Sequence, residues 1–147
     1  MKVYLDNCCY NRPFDNQNQM RIYLETQAKL FIQKLISDGS LLLAISYVSR
    51  YENWNSPYSR NQITIEKFFE NATTFIDIDK AEIIEHKANE IMKYGVKSKD
   101  ALHISCAIEA SCEYFVTTDD DILRKYKTGE IKVCSPIEFI NIWEGFL

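Results

Sequence analysis

The chain has 147 residues, 46% of them hydrophobic and 26% charged, with four glycines, three prolines and a net charge of −4. That length suits a single domain with one well-buried core, and the scarcity of glycine and proline leaves little room for linkers or disordered arms. A negative balance gives no global attraction for nucleic acid, so any phosphate contact must come from a local basic patch or a metal ion.

Val3, Tyr4 and Leu5 form a short β-prone run that ends abruptly on Asp6. A carboxylate there is either a helix cap or part of a site in the crevice beyond the strand ends, depending on whether other carboxylates join it. The polar stretch from Asn11 to Gln19 reads as a loop, with Asp15 or Asn16 capping the next helix. Helical periodicity then runs from Met20 to Ser37, closed by Asp38-Gly39. Leu41 to Ile45 is a buried strand, Val48 to Asn55 a short helix carrying Glu52, and Gln62 to Asn71 another helix after Pro57. Thr73 to Ile78 is β-branched and aromatic, and Lys80 to Tyr94 is amphipathic up to Gly95. Ser98 is positioned to cap a helix from Lys99 to about Ser111. Tyr114 to Thr117 predicts a fourth strand leading into Asp119-Asp120-Asp121 and a short helix to about Lys127. Ile131 to Cys134 predicts a fifth strand, and Pro136 opens a last helix through Trp143.

Strands alternating with helices predict an α/β fold of three layers, with about five parallel strands and helices on both faces, in one domain over 1–147. No apolar run approaches the roughly 18 residues that span a bilayer. Asp6 also interrupts the first apolar run too early for a signal peptide, so no membrane association and a cytoplasmic location are expected. The five cysteines (Cys8, Cys9, Cys106, Cys112, Cys134) form no CxxC pair, and buried reduced thiols are expected rather than disulfides or a thiolate zinc site.

The acidic residues are informative by their placement. Asp6 ends the first strand, Glu52 follows the second, Asp100 lies in the first turn of a helix, and Asp119 with Asp121 follows the fourth strand. Right-handed crossovers bring the carboxyl ends of parallel strands to one edge, where these groups can converge. Carboxylates gathered in one cleft repel one another unless a cation intervenes, and hard oxygen ligands suit Mg²⁺ or Mn²⁺.

Four segments carry a family resemblance: Y-L-D at 4–6, S-Y-V-S-R-Y-E at 46–52, K-D-A-L-H-I at 99–104 and F-V-T-T-D-D-D at 115–121. Together they make the chain resemble a PIN-domain ribonuclease, of the VapC-like kind found as toxins in toxin–antitoxin pairs. The resemblance implies that Asp6, Glu52, Asp100 and Asp119 surround Mg²⁺ or Mn²⁺ and that water activated there cleaves RNA. It further implies a protein antitoxin as partner. Asp121 is expected as a secondary ligand, and Asp120 is expected to point to solvent. The chain departs from the family after its first aspartate, where Thr or Ser and then Asn or Ser are usual and Asn7 and Cys8 stand here. That departure motivates a second reading, a PIN-fold binding module with weak or no catalysis. A phosphatase of the haloacid-dehalogenase type needs a second aspartate where the chain has Cys8.

The remaining polar residues have ordinary expectations. Asp38 competes with Glu52 for a site role, Arg21 and Glu25 form an i,i+4 pair, and His103 is a buried hydrogen-bonded histidine; neither it nor His86 is required as a base. Arg12, Arg50 and Lys99 are candidates for RNA phosphates. Tyr47, Tyr51, Trp54 and Tyr58 fall on one helix face and are expected to pack in the core or in a homodimer rather than stack on bases.

Overall fold

Side-chain alternation in the first strand sets the architecture. In β1 (Lys2–Leu5), Val3 and Leu5 face one side of the sheet and Tyr4 the other, and all three are buried. A strand buried on both faces needs a layer on each side, and the computed structural model, which describes residues 1–127 and 129–145, supplies both.

After β1 come α1 (Asn7–Asn11), a 3-10 turn at Arg12–Phe14, α2 (Met20–Ser37) and β2 (Leu42–Ser46). The middle of the chain holds α3 (Tyr47–Trp54), α4 (Ser59–Phe69), β3 (Thr74–Ile76), α5 (Ala81–Ile91) and α6 (Ser98–Glu109). The last part holds β4 (Tyr114–Val116), α7 (Asp120–Lys125), β5 (Lys132–Cys134) and α8 (Pro136–Glu144). The five strands are all parallel in the order β3-β2-β1-β4-β5, with Tyr4 opposite Ala44 on one side and Phe115 on the other. On one face Tyr4, Ala44 and Phe115 pack with Ile84 and Ala88 of α5 and Ile104 and Ala107 of α6. On the other, Val3, Leu5, Leu43 and Val116 pack with Ile32 of α2, Phe68 of α4 and Phe139 of α8. The expected three-layer α/β fold is the one observed.

Several local expectations need correction. The stretch after Asn11 is a 3-10 turn rather than open loop, because Pro13 fits the first turn of a helix and the residues before it already form α1. Neither Asp15 nor Asn16 caps α2: its N-cap is Gln19, without a side-chain bond, while Asp15 pairs with Arg12 and Asn16 accepts from the Asn18 backbone. Ser98 is the first residue of α6 and Lys97 its cap, again without a side-chain bond; buried Val96 fixes the chain's entry one residue earlier than the sequence suggests. The amphipathic stretch after Lys80 ends as α5 at Ile91, followed by a 3-10 turn at Met92–Tyr94 that Gly95 closes with φ 92°. The helix expected from Gln62 begins at Ser59.

Candidate active site

The strand order makes β1 and β4 neighbours although they lie far apart in sequence, so chain direction across the sheet reverses between them. At such a switch point the loops diverge and leave a crevice beyond the carboxyl ends of the strands. Asp6 leaves β1 there and its backbone N–H donates to Val116 O at 2.9 Å, which ties the end of β1 to the end of β4. Asp119 leaves β4 on the opposite lip. The first turn of α6 brings Asp100, and α3, entered through a reciprocal Ser46–Ser49 capping box, brings Glu52. All four carboxylates line one cleft of about 610 Å³, together with Cys8 and Lys97.

Asp6 is 5% exposed and well held. Thr117 donates its hydroxyl to Asp6 Oδ2 at 2.7 Å, the Asn7 N–H donates to Oδ1 at 2.8 Å, and the Cys8 thiol donates to Oδ2 at 3.4 Å. Cys8 also accepts from the Thr118 N–H at 3.4 Å, so this thiol occupies the place of a small polar side chain. Asp6 therefore caps α1 through Oδ1 and lines the cleft at once. Asp119 likewise caps α7 by accepting from the Asp121 N–H at 2.8 Å.

Asp100 has the most perturbed carboxyl of the cleft. Burial, then the negative charges of Asp6 and Asp119, push it up to about 6. Glu52 behaves in the opposite way: burial would raise it, but His103 and the Lys99 ammonium outweigh that and hold it below the ordinary range. His103 is wholly buried and binds Glu52 Oε1 through Nε2, while its Nδ1 lies 2.6 Å from the Tyr4 hydroxyl. Tyr4 in turn reaches Ser46 at 2.6 Å and Ser49 at 2.8 Å. Burial favours neutral imidazole, yet the bond to Glu52 and the charges of Asp6, Glu52 and Asp100 raise His103 above its usual value. The chain Ser46/Ser49–Tyr4–His103–Glu52 thus fixes one Glu52 oxygen from behind and leaves Oε2 towards the cleft, 4.0 Å from Lys99 Nζ.

Other sequence-predicted residues fall elsewhere. Asp121 is half exposed, pairs with Arg124 at 2.5 Å and does not line the cleft. Asp120 is exposed, as expected, and also receives both terminal nitrogens of Arg21 at 2.8 Å, which lowers its carboxyl pKa and links α2 to α7. Glu25 is more than half of an ordinary i,i+4 pair: it is buried between Arg21 at 3.4 Å and Arg12 at 2.9 Å, because the 3-10 turn folds Arg12 back onto α2. Asp38 precedes β2 at the amino edge of the sheet and accepts from Ser40, so it does not compete with Glu52. Arg12 and Arg50 are committed to carboxylates, the latter to Glu66 at 2.8 Å, leaving Lys99 as the phosphate candidate beside the cleft. Tyr51 and Trp54 are 65–66% exposed rather than core residues, because α3 turns Val48, Ser49 and Asn53 inward instead, and Tyr58, equally exposed, lies off that helix face as the N-cap of α4. The five cysteines are free, and only Cys8 is not buried.

Thr117, Tyr4 and Lys97 were not singled out by the sequence. Tyr4 offered a signal, a hydroxyl-bearing ring on a strand where both faces must be buried.

The donor chemistry around Asp6, Asp100, Asp119 and Glu52 is that of a hard divalent cation, and the mutual repulsion felt by Asp100 is what such an ion would relieve. Among the described residues, no group of three or more His, Cys, Asp or Glu side chains is drawn together to enclose a metal ion.

Three solved structures align with nearly the whole chain. They are VapBC2 from Rickettsia felis bound to a DNA fragment from its promoter (18% identity, TM-score 0.56, 92% of this chain and 98% of that one), FitAcB from Neisseria gonorrhoeae (13%, 0.56, 92% and 98%) and VapBC-1 from nontypeable Haemophilus influenzae (14%, 0.56, 93% and 99%). The fold is PIN-like. No family model and no curated protein matches the sequence. At these identities the likeness concerns the backbone fold. Among the described residues no helix is long and apolar enough to cross a membrane.

Proposed function

We propose that the chain is a metal-dependent endoribonuclease and the toxin of a toxin–antitoxin pair. One observation carries the catalytic part: carboxylates from four separate segments line one cleft, and Asp100 registers the charge of its neighbours. The fold shared with chains of VapBC and FitAcB complexes supports the toxin–antitoxin part.

Bound Mg²⁺ or Mn²⁺ would offset the carboxylate charge, acidify water and counter the charge developing on a phosphodiester. Asp6, Asp100, Asp119 and Glu52 would hold it. The chain's own contribution is orientation and access. Thr117, Cys8 and the Asn7 amide aim Asp6; His103 and Tyr4 aim Glu52; and Lys97 and Lys99 stand at the mouth to draw in a phosphate. Asp6→Asn and Asp100→Asn variants with intact folds are expected to lose Mn²⁺-dependent cleavage of a labelled RNA. Wild-type cleavage by both would sink the proposal.

The second reading, a PIN-fold module that binds RNA or protein with weak or no catalysis, is motivated by Asn7 and Cys8, which follow Asp6 where Thr or Ser and then Asn or Ser are usual in the family. Calorimetric titration with Mn²⁺ separates the two, because the binding module takes up no ion at a saturable site.

A further inference from the structure

Beside the carboxylate cleft lies a hollow of about 730 Å³ formed by α1, the α3–α4 connection and the start of α4. It shares Asn7, Asn11, Asp15, Glu52 and Lys99 with the cleft, so the two are one continuous depression. The chemistry changes along it. Where the cleft is carboxylate-rich, the hollow adds the amides Asn55 and Asn61, the rings Phe14 and Tyr58, and Arg60.

Three properties of this wall distinguish it from ordinary surface. Tyr58 is 66% exposed and Phe14 41%, although aromatic rings normally find cover. The nearby arginines are spent, Arg12 on Asp15 and Glu25 and Arg50 on Glu66, whereas Arg60 enters no ion pair among the described residues. The turn that presents these groups is also clasped: Asn53 donates to Gln62 O at 2.9 Å, and Gln62 donates back to Asn53 O at 3.2 Å and Trp54 O at 2.6 Å. The turn that carries this lining is therefore held in place by its own hydrogen bonds.

We propose that this hollow holds the base and sugar of a single-stranded nucleotide flanking the phosphate to be cut. Tyr58 stacks on the base, Asn55 and Asn61 meet its hydrogen-bonding edge, and Arg60 with Lys99 takes the adjoining phosphates. The proposal rests on the reading of the cleft as a ribonuclease site. An amide offers one donor group and one acceptor, which complements a base edge, and an exposed ring accepts any base by stacking. A base edge held in a duplex is not free to enter such a hollow, so the selection is for unpaired strands. Two cations beside amides also explain how a chain of net charge −4 draws in a polyanion locally.

The test is fluorescence anisotropy with a short, labelled, single-stranded oligoribonucleotide of mixed sequence, in chelator so that nothing is cut, using the full chain. Tyr58→Ala is expected to weaken binding by about tenfold or more, with Tyr58→Trp retaining it. Asn61→Ala is expected to flatten any preference among homopolymers. Arg60→Ala is expected to weaken binding and reduce its salt dependence. The matching RNA duplex should bind less tightly than the single strand. Tyr58→Ala within about twofold of wild type, a homopolymer preference left unchanged by Asn61→Ala, equal binding of duplex, or no binding by wild type would each overturn the proposal. Melting curves check that the variants fold. Failure of the ribonuclease reading is distinct: the oligonucleotide would bind through Tyr58, yet no RNA would be cut with Mn²⁺.

Discussion

Replacing Asp100 by asparagine should make the metal-free protein more stable while removing its activity. The carboxyl sits half-buried in the first turn of α6 and is pushed up to about 6 by burial, Asp6 and Asp119. Because the unfolded chain ionises near the ordinary value of 3.8, the ionised group opposes folding at neutral pH. A shift of this size is worth about 3 kcal/mol at full strength. Solvent screening of a half-exposed group reduces that to about 1–1.5 kcal/mol. Losing a negative charge at a helix N-terminus takes back about 0.5 kcal/mol. The variant should therefore gain roughly 0.5–1 kcal/mol near pH 7.5 in chelator, or about 1–4 °C in Tm.

The pH dependence identifies the cause. A raised folded-state pKa favours the folded protein when the group is protonated, and that advantage disappears as pH rises through the folded value. The gain of Asp100→Asn over wild type should be near zero at about pH 4, grow through about pH 6 and then level off. Urea unfolding of both proteins across this range measures it, and saturating Mn²⁺ should reverse the order by stabilising wild type alone. A variant less stable than wild type near neutrality, or a gain independent of pH, would refute the electrostatic argument.

Three further outcomes follow from the same geometry. Tyr4→Phe removes the hydroxyl that joins His103 to Ser46 and Ser49, and should cost about 1–3 kcal/mol in urea unfolding and weaken Mn²⁺ uptake; unchanged values for both would mean that the buried chain does not orient Glu52. Cys8→Ser keeps a donor to Asp6 and should leave RNA cleavage within about threefold of wild type, so loss of cleavage would show that the thiol has a role beyond that bond. Lys29 is buried over Phe68 and Tyr10 with Gln33 as its hydrogen-bond partner, and burial lowers its pKa to about 8, so the charged form opposes folding at lower pH. Lys29→Met should stabilise by about 1–3 kcal/mol near pH 7, with the gain shrinking from about pH 8 to pH 10, and a destabilised variant would show that the ammonium is better solvated than its burial implies.

The sequence by itself determined the alternation of strands and helices, because burial periodicity and breakers such as Gly95 act locally. It also placed Asp6, Asp100 and Asp119 at segment ends, where a polar residue following an apolar run stands out. It did not determine Asp15, Asn16 or Ser98, whose capping potential was overridden by where the chain enters each helix. Tertiary structure alone decided which charges meet. The β1–β4 pairing sets Thr117 against Asp6, and the Arg21–Asp120 and Arg12–Glu25 pairs hold α2 against α7 and the 3-10 turn. It also decided that His103 backs Glu52, a contact spanning 51 residues. Such pairings depend on strand order and crossover, so nothing in the local run of residues announces them.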